Sequence, residues 1–125
     1  MRDIKFRIWQ KSLKRFMSQY YDGGERIVIS LEGKPLEWDE MKNHREMSDD
    51  FVVQQYTGLK DKNGVEIYEG DILLWGEGWV YPEMSGEIQW IENGYYFVQP
   101  EYDVKWLITR KSLSSAKIIG NIHER

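Results

Sequence analysis

The chain has 125 residues, a formal net charge of −4, no cysteine and 30% charged residues. That length suits a single domain over residues 1–125, large enough to bury a core without disulfide or metal staples. The missing cysteines exclude disulfides, thiol nucleophiles and thiolate metal sites, and the acidic balance argues against a protein built to coat DNA. The opening "MRDIKFRIW" mixes charge with bulk and has no continuous apolar stretch of the kind a signal peptide needs. No apolar run approaches the ~20 residues of a membrane helix, so a cytoplasmic protein is expected. Six Trp, eight Tyr and four Phe point first to half-buried pleated surfaces and second to protein interfaces, where Trp and Tyr are enriched.

The first segment, "DIKFRIWQ", alternates. Period two predicts a strand with Ile4, Phe6 and Ile8 on a buried face and Lys5, Arg7 and Trp9 on the other. "KSLKR" turns the chain into "FMSQYY", giving an opening hairpin, and "DGG" at Asp22 to Gly24 supplies a tight turn before the strand "RIVISL". "EGKPLEW", around Pro35, is expected to end that strand. Residues 38–50 are the least β-like part. Trp38, Met41 and Arg45 fall at helical spacing, and Asp39 and Glu40 suit a first turn, so a short helix or a loop is expected there. "FVVQQYT", "VEIY" and "ILLW" read as strands. In "GEIQWIENGYYFVQ" the dipeptide Asn93-Gly94 marks a type I′ hairpin with Trp90 buried beside it. "VKWLIT" and "AKIIGNI" complete the set. Turn signals every 8–12 residues predict a mainly β domain of short, bent antiparallel strands, barrel- or roll-like, with at most one or two short helices.

The segment "QQYTGLKDKNGVEIYEGDILL" holds the residues with most potential for chemistry. A calcium loop needs oxygen ligands at positions 1, 3, 5 and 12 with glycine at 6. With Gly64 at position 6, Asp61 and Asn63 fit, but Leu59 and Gly70 occupy positions 1 and 12 and cannot ligate. The pattern therefore reads as turns: Asp61, Asn63 and Gly64 in one, Gly70 and Asp71 in the next. Glu69 and Asp71 lack the spacing that would single out a catalytic pair. His44 and His123 belong to no ligand-spaced motif, and no nucleophile elbow or phosphate cradle is present. No catalytic residue, metal or cofactor is expected.

Binding has better candidates. Trp75, Trp79 and Tyr81 surround a glycine-rich bend, and with Trp9 they could form an interface or stacking platform. The competing reading closes one end of the core with them. Lys5, Arg7, Lys11, Lys14 and Arg15 make the N-terminus basic against Asp3 alone, the footprint of a nucleic-acid contact if there is one.

Three ordered motifs carry a resemblance: "RDIKFRIWQKSLKRFM" at the start, "QYTGLKDKNGVEIYEGDIL" in the middle and "IIGNIHE" at the end. Together they resemble the YopX family of phage and prophage proteins, with residues 22–50 and 76–116 matching only loosely. The resemblance implies a mainly β fold with bent and coiled sheets and a few short helices. It also implies a phage or prophage origin, action inside a bacterial host, and plausible self-assembly. It supplies no catalytic residues, since the family's molecular function is uncharacterised. The expected function is a non-enzymatic protein-binding or self-assembling module whose partner is itself or a host or phage protein. A nucleic-acid-binding accessory protein using the basic N-terminal strand is the less favoured alternative.

Overall fold

The computed structural model describes residues 4–17, 26–38, 44–76 and 84–124, without side chains at Arg26, Trp38, His44, Arg45, Pro100, Val104 and Ser112. The protein is mainly β and its strands pair antiparallel. Among the described residues the helical pieces are three short 3-10 turns, at Pro100–Tyr102, Ser112–Ser115 and Ile122–Glu124. None of the helices there is long and apolar enough to cross a membrane. The chain divides into two compact units: Phe6–Gln54, and Gln55–Arg125 together with Met1–Lys5.

The Phe6–Gln54 unit begins with a hairpin of β1 (Phe6–Gln10) and β2 (Arg15–Phe16). Its turn closes through the Lys14 N–H on the Lys11 carbonyl, with Lys14 at φ 49. A three-stranded meander follows: β3 (Arg26–Ile29), β4 (Pro35–Trp38) and β5 (His44–Glu46). The unit ends in the first residues of β6 (Phe51–Lys60), which lies beside β1. Asp50 fastens this return: its carboxylate accepts from Ser12 N at 2.8 Å and Ser12 Oγ at 2.6 Å. The serine hydroxyl holds that carboxyl below its usual range.

Several expectations change here. Ile4 and Phe6 are exposed, whereas Ile8, Trp9 and Gln10 are all buried, so burial follows the end of β1 rather than one face of it. The cause is local cover: the Trp9 indole, 3% exposed, lies opposite Phe16 and meets its ring edge-on at 4.7 Å. β3 ends before the "EGKPLEW" segment as expected, but Pro35 also opens a strand of its own, at the first position, where proline is tolerated. His44–Glu46 are strand, not helix, because pairing with Leu36–Trp38 outweighs a weak helical spacing too short to nucleate alone. The expected turn at Asp22–Gly24 and residues 39–43 of the expected helix lie outside the described residues.

The second unit holds the rest of β6, then β7 (Glu66–Tyr68), β8 (Asp71–Trp75), β9 (Met84–Ile91), β10 (Gly94–Gln99), β11 (Val104–Leu107) and β12 (Ala116–Asn121). Five of these form a sheet in the order β11-β10-β9-β8-β12. Residues directly opposite in antiparallel strands share a face, so the registers Leu73↔Gly86, Ile88↔Phe97 and Leu73↔Ile118 align one apolar face. On that face Leu73, Ile88, Tyr95 and Phe97 form a core with Ile67, Leu113 and Ala116. Residues 4 and 5 join this unit through β6, where the Tyr56 N–H donates to the Lys5 carbonyl at 2.8 Å.

Two details of the hairpin between β9 and β10 differ from expectation. Gly94 already pairs with Ile91, so the loop is Glu92-Asn93 and the positive backbone angle falls on Glu92, φ 54. Trp90 is 52% exposed and covers the buried Tyr95 edge-on at 4.8 Å, so it caps the core instead of filling it.

Gly86 leaves no room for a side chain in the sheet. A Cβ there would lie 2.6 Å from the Val98 carbonyl oxygen and 2.8 Å from the Phe97 ring. Neither a backbone oxygen nor a fully buried ring can withdraw easily, so Gly86→Ala should destabilise the protein by about 1–3 kcal/mol or more. A lowered urea midpoint checks this, and an unchanged midpoint would show that the β9–β10 packing is wrongly described.

Candidate functional site

The segment from Gln54 to Leu74 spans β6, β7 and the start of β8, and three of its carboxylates are engaged locally. Asp61 is buried at the end of β6. Its Oδ1 accepts from Asn63 N at 2.8 Å and Val65 N at 2.9 Å, and its Oδ2 accepts from Ile118 N at 3.1 Å. The backbone closes the same loop: Asp61 N donates to the Val65 carbonyl, and Gly64 N, at φ 80, donates to that of Asp61. Lys62 N adds a bond to the Ala116 carbonyl. Asp61 therefore ties the β6–β7 loop to β12, with both carboxylate oxygens occupied by backbone amides.

The second turn is built likewise. Asp71 Oδ2 accepts from Tyr68 N at 2.8 Å, and Asp71 pairs in register with the buried Asn121. Gly70 takes φ 85, its N–H donates to the Ile88 carbonyl and its own carbonyl accepts from Ile122 N. A side chain at this position would be strained in the left-handed region. Glu69 is the chemically distinct member. It exchanges backbone and side-chain bonds with Gln55: Glu69 N donates to the Gln55 carbonyl at 3.0 Å, and Glu69 Oε1 accepts from Gln55 N at 2.8 Å. Burial raises its pKa, and the Gln55 amide offsets that only in part. Among the described residues no three histidine, aspartate or glutamate side chains converge.

The basic N-terminal residues separate into two groups. Lys5 meets Glu66 at 2.8 Å and lies 5.6 Å from the Tyr56 ring centre. Arg7 Nε donates to Gln54 Oε1 at 2.8 Å, and the guanidinium stacks on Phe16 at 4.2 Å. Arg15 Nε donates to Gln10 Oε1 at 3.1 Å. Lys11 and Lys14 stand exposed on the β1–β2 turn.

The aromatic candidates also divide. Trp9 is buried, as described above. Trp75 packs on the core, edge-on to Phe97 at 5.1 Å and to Trp106 at 6.0 Å. Trp79 and Tyr81 lie outside the described residues. Sequence reasoning missed the exposed pair on β11, Trp106 at 47% and Leu107 at 57%. Adjacent bulky residues in a strand point to opposite faces, so "VKWLIT" puts apolar bulk on both sides of one strand. That was a usable signal, but only the sheet order shows that this strand ends the sheet among the described residues.

A family model described as YopX protein matches residues 5–125. The chain belongs to the YopX family. Its fold is shared by two crystal structures. Protein EF1440 from Enterococcus faecalis is 24% identical, with 99% of this chain and 96% of that one covered at a TM-score of 0.64. Protein yopX from Bacillus subtilis is 12% identical, with 100% and 96% covered at a TM-score of 0.56. At these identities the likeness shows the fold alone. A comparison with curated proteins finds no match. In this YopX-family chain the middle motif, "QYTGLKDKNGVEIYEGDIL", coincides with the Asp61 and Gly70 turns and the bonds that anchor them.

Two outcomes follow from these geometries. Asp61→Ala should cost about 1.5–3 kcal/mol, because it takes a charged acceptor from three part-buried amides; urea unfolding measures it, and no loss would show the carboxylate is dispensable. Glu69, with its folded pKa raised, favours the folded state most below the usual carboxylate range and loses that contribution as pH rises through the raised value. Glu69→Gln should therefore be more stable than the wild type at neutral pH. The two should converge in acid, as read from urea midpoints on either side of that window. Parallel pH profiles would contradict it.

Proposed function

We propose that this chain is a non-enzymatic module of phage or prophage origin that acts through protein contacts in the cytoplasm of a bacterial host, with itself as the first partner. The observation that carries the reading is the set of large apolar side chains left about half exposed or more on strands β9 to β11, with Trp90 and Trp106 on the core-facing side and Leu107 on the other. Tyr102, just before β11, adds to it. Aromatic side chains of this kind supply much of the binding energy where proteins meet. The acidic groups of the middle motif support the same reading, because Asp61 and Asp71 spend oxygens on backbone amides rather than on an open cleft.

The competing reading, a nucleic-acid accessory protein, draws less support. Three of its five basic residues, Lys5, Arg7 and Arg15, direct their charged heads to Glu66, Gln54 and Gln10. A phosphate backbone would have to compete with these bonds for the same donors.

Sedimentation equilibrium of the full chain tests the proposal. A mass above 15.0 kDa in the micromolar range is the expected result. A strict monomer that also captures no phage or host protein would count against it. Single- or double-stranded DNA or RNA binding that weakens with salt would favour the competitor, with a slope near −4.5 if about five phosphates are neutralised.

A further inference from the structure

Among the described residues β11 ends the five-stranded sheet. An end strand presents a row of backbone groups to any extended segment that can pair with it. Which groups these are follows from one bond: Ile108 N donates to the Tyr95 carbonyl at 3.2 Å. In an antiparallel ladder the direction alternates along the strand, so Trp106 and Val104 address β10, and the N–H and C=O of Lys105 and Leu107 point away from it. The register Trp106↔Phe97 agrees, placing Trp106 on the core face beside Trp75 and Leu107 on the opposite face with Tyr96.

The charges on either side of β11 are ordered. Glu101 and Asp103 precede it, Arg110 and Lys111 follow it, and all four are exposed. A strand with an acidic start and a basic end is complementary to itself when antiparallel, and sets like charge against like when parallel. We propose that β11 pairs antiparallel with β11 of a second copy about a two-fold axis at Trp106, joining two five-stranded sheets into one. The inference rests on the self-assembly reading above and names its surface.

The axis position is fixed by elimination. The outward groups belong to Lys105 and Leu107, so a centre inside the strand must lie at residue 105 or 106. A centre at Lys105 sets two lysines directly opposite, which repel. A centre at Trp106 sets Lys105 opposite Leu107 of the second copy and brings the two indoles face to face across the axis. Centres at either end of the strand leave its other end unpaired. At Trp106 each acidic flank also runs alongside the other copy's basic flank. This arrangement is an isologous interface, the kind that closes at two copies.

Sedimentation equilibrium of the full chain from about 1 to 200 µM is the test, a range suited to a short strand interface. The wild type should reach twice 15.0 kDa. Lys105→Pro removes an outward N–H and leaves the ladder to β10 intact, so it should give a monomer with a wild-type near-UV spectrum. Two surface variants make a stronger test. Glu101→Lys with Asp103→Lys, and separately Arg110→Glu with Lys111→Glu, should each be monomeric alone and form a heterodimer when mixed one to one. A wild-type assembly that neither Lys105→Pro nor the flank variants disturb overturns the assignment to β11 and leaves self-assembly standing. A wild type that stays monomeric across the range overturns both.

Discussion

The second unit depends on a carboxylate with no free side. Asp61 receives two amides of its own loop and one from β12, so a turn joining β6 and β7 also holds the last strand of the chain. Gly70 repeats the device with backbone alone, linking the β7–β8 turn to Ile88 and to Ile122. These two turns are only nine positions apart in the chain, yet between them they reach β9 and β12. Buried donors left without acceptors would be costly, so the positions of these turns and the order of the sheet specify one another. The apolar core can then form on a sheet whose register is already limited.

This explains why the middle motif was legible and what it concealed. Asp-Lys-Asn-Gly and Glu-Gly-Asp announce turns by local chemistry, and the strands around them follow from apolar runs of the right length. Nothing in the string shows that Asp61 reaches Ile118, because that contact depends on where β12 lies in the sheet. The same limit shaped the errors. In β1 the alternation of side chains was visible, but the cover supplied by Phe16 came from another strand, so Trp9 was assigned to the wrong environment. At Trp90 the sequence showed a large aromatic in a strand and could not show that the strand was near the sheet's turn end, where half the ring meets water. For His44–Glu46 a weak helical spacing lost to hydrogen bonds from β4.

The candidate functional surfaces were legible to different degrees. Basic residues near the N-terminus are plain in the sequence, but their partners are not: Gln54 lies 47 positions from Arg7 and Glu66 lies 61 from Lys5. Charge density alone therefore overstated the cations available to an external anion. The reverse happened on β11, where an ordinary strand signal understated a surface that becomes notable only at the end of a sheet.

The second unit is also discontinuous in the chain, since residues 55–125 are completed by residues preceding Phe6. The bond from Tyr56 N to the Lys5 carbonyl marks where the chain leaves this unit and where it comes back. A chain emerging from the ribosome makes Lys5 long before Tyr56, so the N-terminal residues must wait for the whole intervening segment before they can take their place. Closing so long an excursion costs little more than closing a short one, because loop entropy grows only with the logarithm of length. The length of residues 6–54 is thus only a weak constraint on the pairing that brackets them.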